Sequence, residues 1–265
     1  MEAGTMEKRQ LHIVTYNIHK GFSQFHRHMM VHELRDQLRE LGPDIVFLQE
    51  VQGMHDRHAR KLDNWPDEPQ YDFLAADVWQ STAYASNVVY GHGHHGNAIL
   101  SRFPIEHSHN QDVTQIRFER RGLLHCAISL PGRPKALHCV CVHLSVFARS
   151  RRRQMDALAG YLETFVDLDL PIVIAGDFND WRNEADQRLA QRLGLIEVLG
   201  GVGGELESPG RSFPSGHPLL RLDRIYVHGF SVQHAEILSG SPWSSISDHA
   251  AVSAQLLYDN DEDGL

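Results

Sequence analysis

The sequence predicts a single domain of the α/β class, and three features carry that expectation. A strand pattern, a helix pattern and a second strand pattern follow one another before residue 51. Short apolar runs separated by Pro/Gly turns occupy the middle of the chain, and a later helix-then-strand unit ends in Gly176-Asp177-Phe178-Asn179. A chain of 265 residues that is 42% hydrophobic can bury a substantial core. No Pro/Ser/Gly-rich linker or break in composition divides it. Residues 11–257 are therefore expected to form one domain, between a flexible leader at 1–10 and an acidic tail at 258–265.

Residues 11–16 read as a β-branched and apolar strand ending at Asn17, with His19-Lys20-Gly21 as the loop beyond it. Residues 30–41 have helical spacing and stop at Gly42-Pro43, and residues 44–50 then read as a buried strand. Residues 51–95 are polar, rich in His and Trp and weakly periodic, which predicts loops with one short helix or strand near 71–84. Strands are expected at 97–101, 123–130 and 136–144; turns such as Pro131-Gly132-Arg133-Pro134 point to antiparallel pairing. A helix at 149–166 with a basic first turn leads to a compact strand at 171–175. A helix at 184–193, a flexible loop at 200–216 and strands at 222–227 and 250–257 complete the chain.

The formal net charge of −9 argues against a protein that coats nucleic acid by bulk electrostatics. It leaves a nuclease open, because a hydrolase needs positive charge only where the phosphate sits and a divalent cation supplies part of it. Cys126, Cys139 and Cys141 form no disulfide framework and read as reduced core thiols. The N-terminal residues lack the apolar region of a secretory signal, and no stretch is apolar for long enough to span a bilayer. A cytoplasmic, monomeric protein without membrane insertion or a protein partner is the expectation.

Polar residues stand at the ends of apolar runs in six separate segments: Asn17, Glu50, His143, Asp177 with Asn179, Asp223, and Asp248 with His249. Burying such groups is costly unless they are paired, hydrogen-bonded or bound to a metal, so their convergence would mark a site. Hard oxygen ligands suit magnesium or manganese rather than zinc, and no Cys/His cluster has structural-zinc spacing. No Ser or Cys nucleophile sits in a convincing elbow or beside a base, which fits direct attack by water.

These elements resemble, in order, those of the endonuclease/exonuclease/phosphatase family, the group that includes DNase I. They read Thr15-Tyr16-Asn17, Leu48-Gln49-Glu50, Val142-His143-Leu144, Gly176-Asp177-Phe178-Asn179, Leu222-Asp223-Arg224-Ile225 and Ser247-Asp248-His249. Each motif alone is weak, but six in order across nearly the whole chain are specific. The resemblance implies a four-layer α/β sandwich, two central mixed β-sheets flanked by helices, with the site where strand ends meet. It implies a magnesium-dependent phosphoesterase, with manganese as the alternative ion, in which an activated water attacks phosphorus without a covalent intermediate. Glu50 is similar to the principal metal ligand, with Asn17 and Asp248 contributing directly or through water. Asp177 would orient or deprotonate the water and Asn179 would hydrogen-bond it or the phosphoryl oxygens. Asp223 and His249 resemble a carboxylate–histidine pair that stabilises the transition state. His143 occupies a position where relatives carry His or Tyr, suited to protonating the leaving group or binding the phosphate. Between Asp177 and His249 as general base the residues leave both open, with Asp177 preferred. Some relatives have a carboxylate where this chain has His19, which favours one main metal site without settling one ion or two.

Asn97, Arg121 and Arg152 are further candidates for holding the substrate phosphate, Arg152 because the basic run Arg149–Arg153 follows His143; a solvated helix face is the plainer reading of that run. His92, His94 and His95 lie between glycines and read as a rim loop rather than as metal ligands. Trp65, Trp79, Trp181 and Trp243 are assigned to packing, with Trp181 close enough in sequence to Asn179 to border the cleft. Nucleic acid, cleaved as DNA by endo- or exonuclease action, is the leading substrate. A phospholipid, a small phosphodiester or phosphomonoester, and a silent phosphate-binding module are the alternatives.

Overall fold

A computed structural model describes residues 8–200 and 210–259, and their strands form two six-stranded sheets. The first sheet is ordered β11 (Ser231–Leu238), β12 (Ala251–Asp259), β1 (Lys8–Asn17), β2 (Ile45–His55), β4 (Gly93–Ser101) and β3 (Ser81–Tyr90). The second is ordered β5 (Ile105–Asp112), β6 (Gly122–Ile128), β7 (Leu137–His143), β8 (Ile172–Asp177), β10 (Asp223–His228) and β9 (Ile196–Glu197). Two neighbouring pairs are parallel, β1 with β2 and β7 with β8. A parallel pair needs a crossover connection. Helix α1 (Val31–Leu41) lies in the first crossover and helix α4 (Ala148–Phe165) in the second.

Side chains alternate between the two faces of each central strand, and both faces are buried. In β1, Leu11 and Ile13 enter the core between the sheets, while Val14 and Tyr16 face helices. In β2, Ile45 and Phe47 point inward and Val46 and Leu48 outward. In β8, Val173 and Ala175 face the first sheet and Ile172 and Ile174 face α4. This two-sided burial is why these segments read as unbroken apolar runs. Each fully buried Leu, Ile or Val contributes about 1.5–3 kcal/mol relative to exposure. Val31, Leu34 and Leu38 of α1, with Phe73 of α3 (Gln70–Ala75), cover the first sheet; Met155, Leu158 and Leu162 of α4 cover the second. The layers run helix, sheet, sheet, helix, which is the four-layer sandwich expected. All three cysteines are free and lie in the inter-sheet core.

The stretch 51–95 departs from expectation. It holds the end of β2, α2 (Asp56–Lys61), α3, all of β3 and the start of β4. The β3–β4 hairpin is only patchily buried, so it lacks a clean apolar period. Strand β5 is largely exposed and polar, and it was invisible for the same reason. The helix expected at 184–193 is present over those residues, with a π-helical segment at Asp186–Ala190. β1 begins at Lys8 and β12 ends at Asp259, so both strands extend past the expected domain limits. The remainder of the leader and tail, and residues 201–209 of the expected flexible loop, lie outside the described residues. Among the described residues no helix is long and apolar enough to cross a membrane.

Candidate active site

The two parallel pairs direct their carboxyl ends to one end of the sandwich. Asn17 closes β1, Glu50 lies in β2, His143 closes β7 and Asp177 closes β8. On the second sheet, His143 pairs in register with Asp177 and Asp177 with Asp223, so three adjacent strands set a histidine and two aspartates in a row. Neighbouring strands are about 4.8 Å apart, which is side-chain contact distance.

Asp177 is the centre of the group. Its Oδ2 lies 3.1 Å from Asn17 Nδ2, 3.5 Å from His143 Nε2 and 3.8 Å from His249 Nε2. Its Oδ1 accepts the backbone N–H of Asn179 at 2.9 Å. Gly176 makes this approach achievable, because a Cβ there would sit 1.9 Å from Val142 O and its φ is +150°. Burial pushes the Asp177 carboxyl up from its ordinary value. Asn179, itself left-handed at φ 50°, donates from Nδ2 to Leu144 O at 3.0 Å and keeps one amide N–H for a ligand.

His249 donates from Nδ1 to Asp223 Oδ2 at 2.8 Å, and Ser212 Oγ donates to the same oxygen at 2.6 Å. The imidazole is thereby fixed with Nε2 toward Asp177. Burial opposes a charge on this ring, but Asp223 and Asp177 outweigh it and hold the histidine raised, as an imidazolium. His143 differs. Burial pushes it well down and the Arg121 guanidinium, 3.4 Å from its Nε2, adds to that, which favours the neutral ring.

Glu50 sits where β2 slips its register against β4 between Leu48 and Val51, and its backbone is left-handed at φ 57°. Such a bulge re-aims one side chain out of the strand's alternation, at a cost of about 1–3 kcal/mol. The carboxylate opens into a narrow cavity that also takes in His95, Asn97, Arg120, Arg121 and His143. Asn17 and Asp248 approach from the other side: Ser247 Oγ donates to Asn17 O at 2.7 Å, and Asp248 Oδ1 lies 3.7 Å from His19 Nδ1. Asn17 Oδ1 accepts the His19 backbone N–H at 3.1 Å.

Of the phosphate candidates, Arg121 and Asn97 line the cavity. Asn97 is buried, and its Nδ2 donates to Gly122 O and Cys141 O, which joins the two sheets beneath the site. Arg152 is elsewhere: it makes a two-pronged pair with Glu184 at 2.9 and 2.7 Å, because α4 carries it away from His143. His94 and His95 belong to β4 rather than to a rim loop, and His95 faces the cavity. Trp181 is 43% exposed with the Arg151 guanidinium over its ring. Groups that the sequence did not single out are Gln49, Gln70, Ser212, Lys20 and His95's place beside Glu50. Gln49 and Ser212 are fully buried polar residues bound to Thr15 and Asp223 respectively. For Gln49 a signal existed, since it interrupts an apolar run.

The Glu50 carboxylate is a hard oxygen donor, and a cation, Lys20, already lies 2.9 Å from its Oε2. A carboxylate that lines a cavity and has drawn a cation is the kind of group a divalent ion takes. Among the described residues, Asp177, Asp223 and His249 also lie close enough to chelate. In that trio Asp223 Oδ2 and His249 Nδ1 are spent on each other, while Asp223 Oδ1 is buried without a hydrogen-bond partner.

The sequence profile of the Endonuclease/Exonuclease/phosphatase family matches residues 14–249. The chain is 46% identical over 244 residues to the uncharacterized protein YbhP of Escherichia coli K12, spanning 92% of this chain and 95% of that protein. Its fold is similar to that of an endonuclease/exonuclease/phosphatase from Beutenbergia cavernae, at 21% identity and TM-score 0.75, covering 95% of this chain and 72% of that one. It is also similar to the mannosyl-6-phosphatase of Bacteroides thetaiotaomicron, at 14% identity and TM-score 0.69, over 94% and 100% of the two chains.

Proposed function

The chain belongs to the endonuclease/exonuclease/phosphatase family, whose members are phosphoester hydrolases, and we propose that it is a magnesium-dependent phosphodiesterase with nucleic acid as its leading substrate. The observation that carries this reading is the convergence of Asn17, His143 and His249 on one oxygen of Asp177, in a site bounded by Glu50. Glu50, with Asn17 and Asp248, would hold the divalent ion. When bound, the ion supplies stabilisation of charge developing on phosphoryl and leaving oxygens.

The protein's own groups do the rest. Asp177 takes the proton of the attacking water. Its burial raises its basicity, and Asn17 Nδ2 donates to the oxygen that the two histidines also approach. Asp223 and Asp177 favour the charged form of His249, in which Nε2–H donates toward the phosphoryl oxygens. Asn179 adds its remaining amide N–H. His143 and Arg121 bind the phosphate from the cavity side, Arg121 through charge. Water oxygen bonds to phosphorus as the ester oxygen leaves with the electron pair, and no enzyme–phosphate bond forms. A cytoplasmic setting belongs to the same proposal, with the three free core thiols in its support.

Arg120 and Arg121 make one side of the cavity cationic, which suits an anionic phosphoester. The phosphatase relative supports the second reading, a small phosphomonoester. A panel of single- and double-stranded DNA, RNA, phospholipid and sugar phosphates, assayed with magnesium and with chelator, separates them. Chelator-sensitive cleavage of nucleic acid at least about tenfold above the other classes is expected. Cleavage of sugar phosphates alone would replace the substrate assignment, and turnover of nothing would favour a phosphate-binding module.

A further inference from the structure

The loop after β1 places a lysine directly on the carboxylate assigned to the metal. Lys20 Nζ lies 2.9 Å from Glu50 Oε2, with the two side chains 28% and 20% exposed. Nothing in the phosphoryl chemistry requires this pair, and a surface lysine would ordinarily gain little from one. Here the backbone on both sides is fastened. Lys20 adopts φ 60° between His19 at φ 46° and Gly21 at φ 79°. Ile18 N–H donates to Gln49 O at 3.1 Å, beside Glu50, and Gly21 N–H donates to Ile18 O at 2.7 Å.

The fully buried Gln70 clamps the two segments together. Its Nε2 donates to Lys20 O at 2.9 Å, and its Oε1 accepts the backbone N–H of Gln52, just past the Glu50 bulge, at 2.9 Å. Gly21 is required for that clamp, since a Cβ would come within 2.6 Å of Gln70 Nε2. Two left-handed segments, each strained, are thus held in fixed register by one buried amide. The spacing of ammonium and carboxylate is built into the fold.

We infer that Lys20 is a resident counter-cation for Glu50 that competes with a divalent ion for that carboxylate and so weakens the site's hold on metal. The inference rests on the assignment of Glu50 as the principal ligand. Of the site's carboxylates Glu50, Asp177, Asp223 and Asp248, Lys20 neutralises the one that lines the cavity with His95, Arg121 and His143. An ion entering at Glu50 must break that pair, and like-charge repulsion from an ammonium at this distance disfavours the ion further.

Manganese binding, followed by calorimetry and by the electron-resonance signal of the free ion, tests this without reference to activity. Lys20→Met is expected to tighten binding by about tenfold or more over the wild type, and Lys20→Arg to stay near it. Lys20→Gln, with a polar chain in the same left-handed position, is a second charge-free variant expected to behave as Lys20→Met does. Manganese bound no more tightly by either charge-free variant than by wild type would overturn the inference. Glu50→Gln separates the two levels of the account. Weakened binding there with no tightening in Lys20→Met refutes the role of Lys20 alone, whereas wild-type binding in Glu50→Gln refutes the metal assignment and this inference together.

Discussion

Asp177→Asn is expected to lower turnover of a phosphodiester by about 10³-fold or more while changing KM little. The substitution keeps size and one acceptor, so the Asn179 backbone N–H retains its partner. It removes the group that receives the proton. It also threatens to turn an amide N–H toward Asn17 Nδ2 and His249 Nε2, so donor faces donor in a buried site. Steady-state kinetics with magnesium, beside a thermal unfolding midpoint, read the two effects separately. A fall of less than about tenfold in turnover would move the base elsewhere, with His249, oriented through Nδ1 by Asp223, the next candidate.

Glu50→Gln is the second large effect. It keeps the shape of the side chain and removes its charge, and charge count is a main determinant of affinity for hard cations. The magnesium concentration for half-maximal activity is expected to rise by about 100-fold, with partial recovery at high metal. Burial pushes the Glu50 carboxyl up, but Lys20 outweighs it and the net direction is down, so the charge lost in the variant is one the wild type carries throughout the neutral range. Loss of activity with an unchanged metal requirement would show that Glu50 serves the substrate rather than the ion.

The central strands were legible because they are buried on both faces and because the catalytic candidates interrupt apolar runs where those runs end. Asn17, Glu50, His143, Asp177, Asp223 and Asp248 each follow or open such a run, and the fold brings all six segments to one end of the sandwich. Only the buried half of β4, expected as a strand at 97–101, was legible in the hairpin β3–β4, since β3 is buried patchily and the start of β4 carries Gly93 and Gly96. Arg152 shows the limit of sequence proximity. It follows His143 closely in the chain, yet α4 turns its side chain onto Glu184. Lys20 and Gln70 show the converse limit. Their importance lies in contacts across 30 and 50 positions, which no local pattern encodes.

The position of the ion decides most. Crystals soaked in manganese and measured at its absorption edge should show an anomalous peak on the Glu50 carboxylate, with Asn17 and Asp248 in its inner or water-bridged shell and Asp177 beside it. A peak held instead by Asp177, Asp223 and His249, or none near Glu50, would contradict the division of labour between metal ligands and proton-transfer groups.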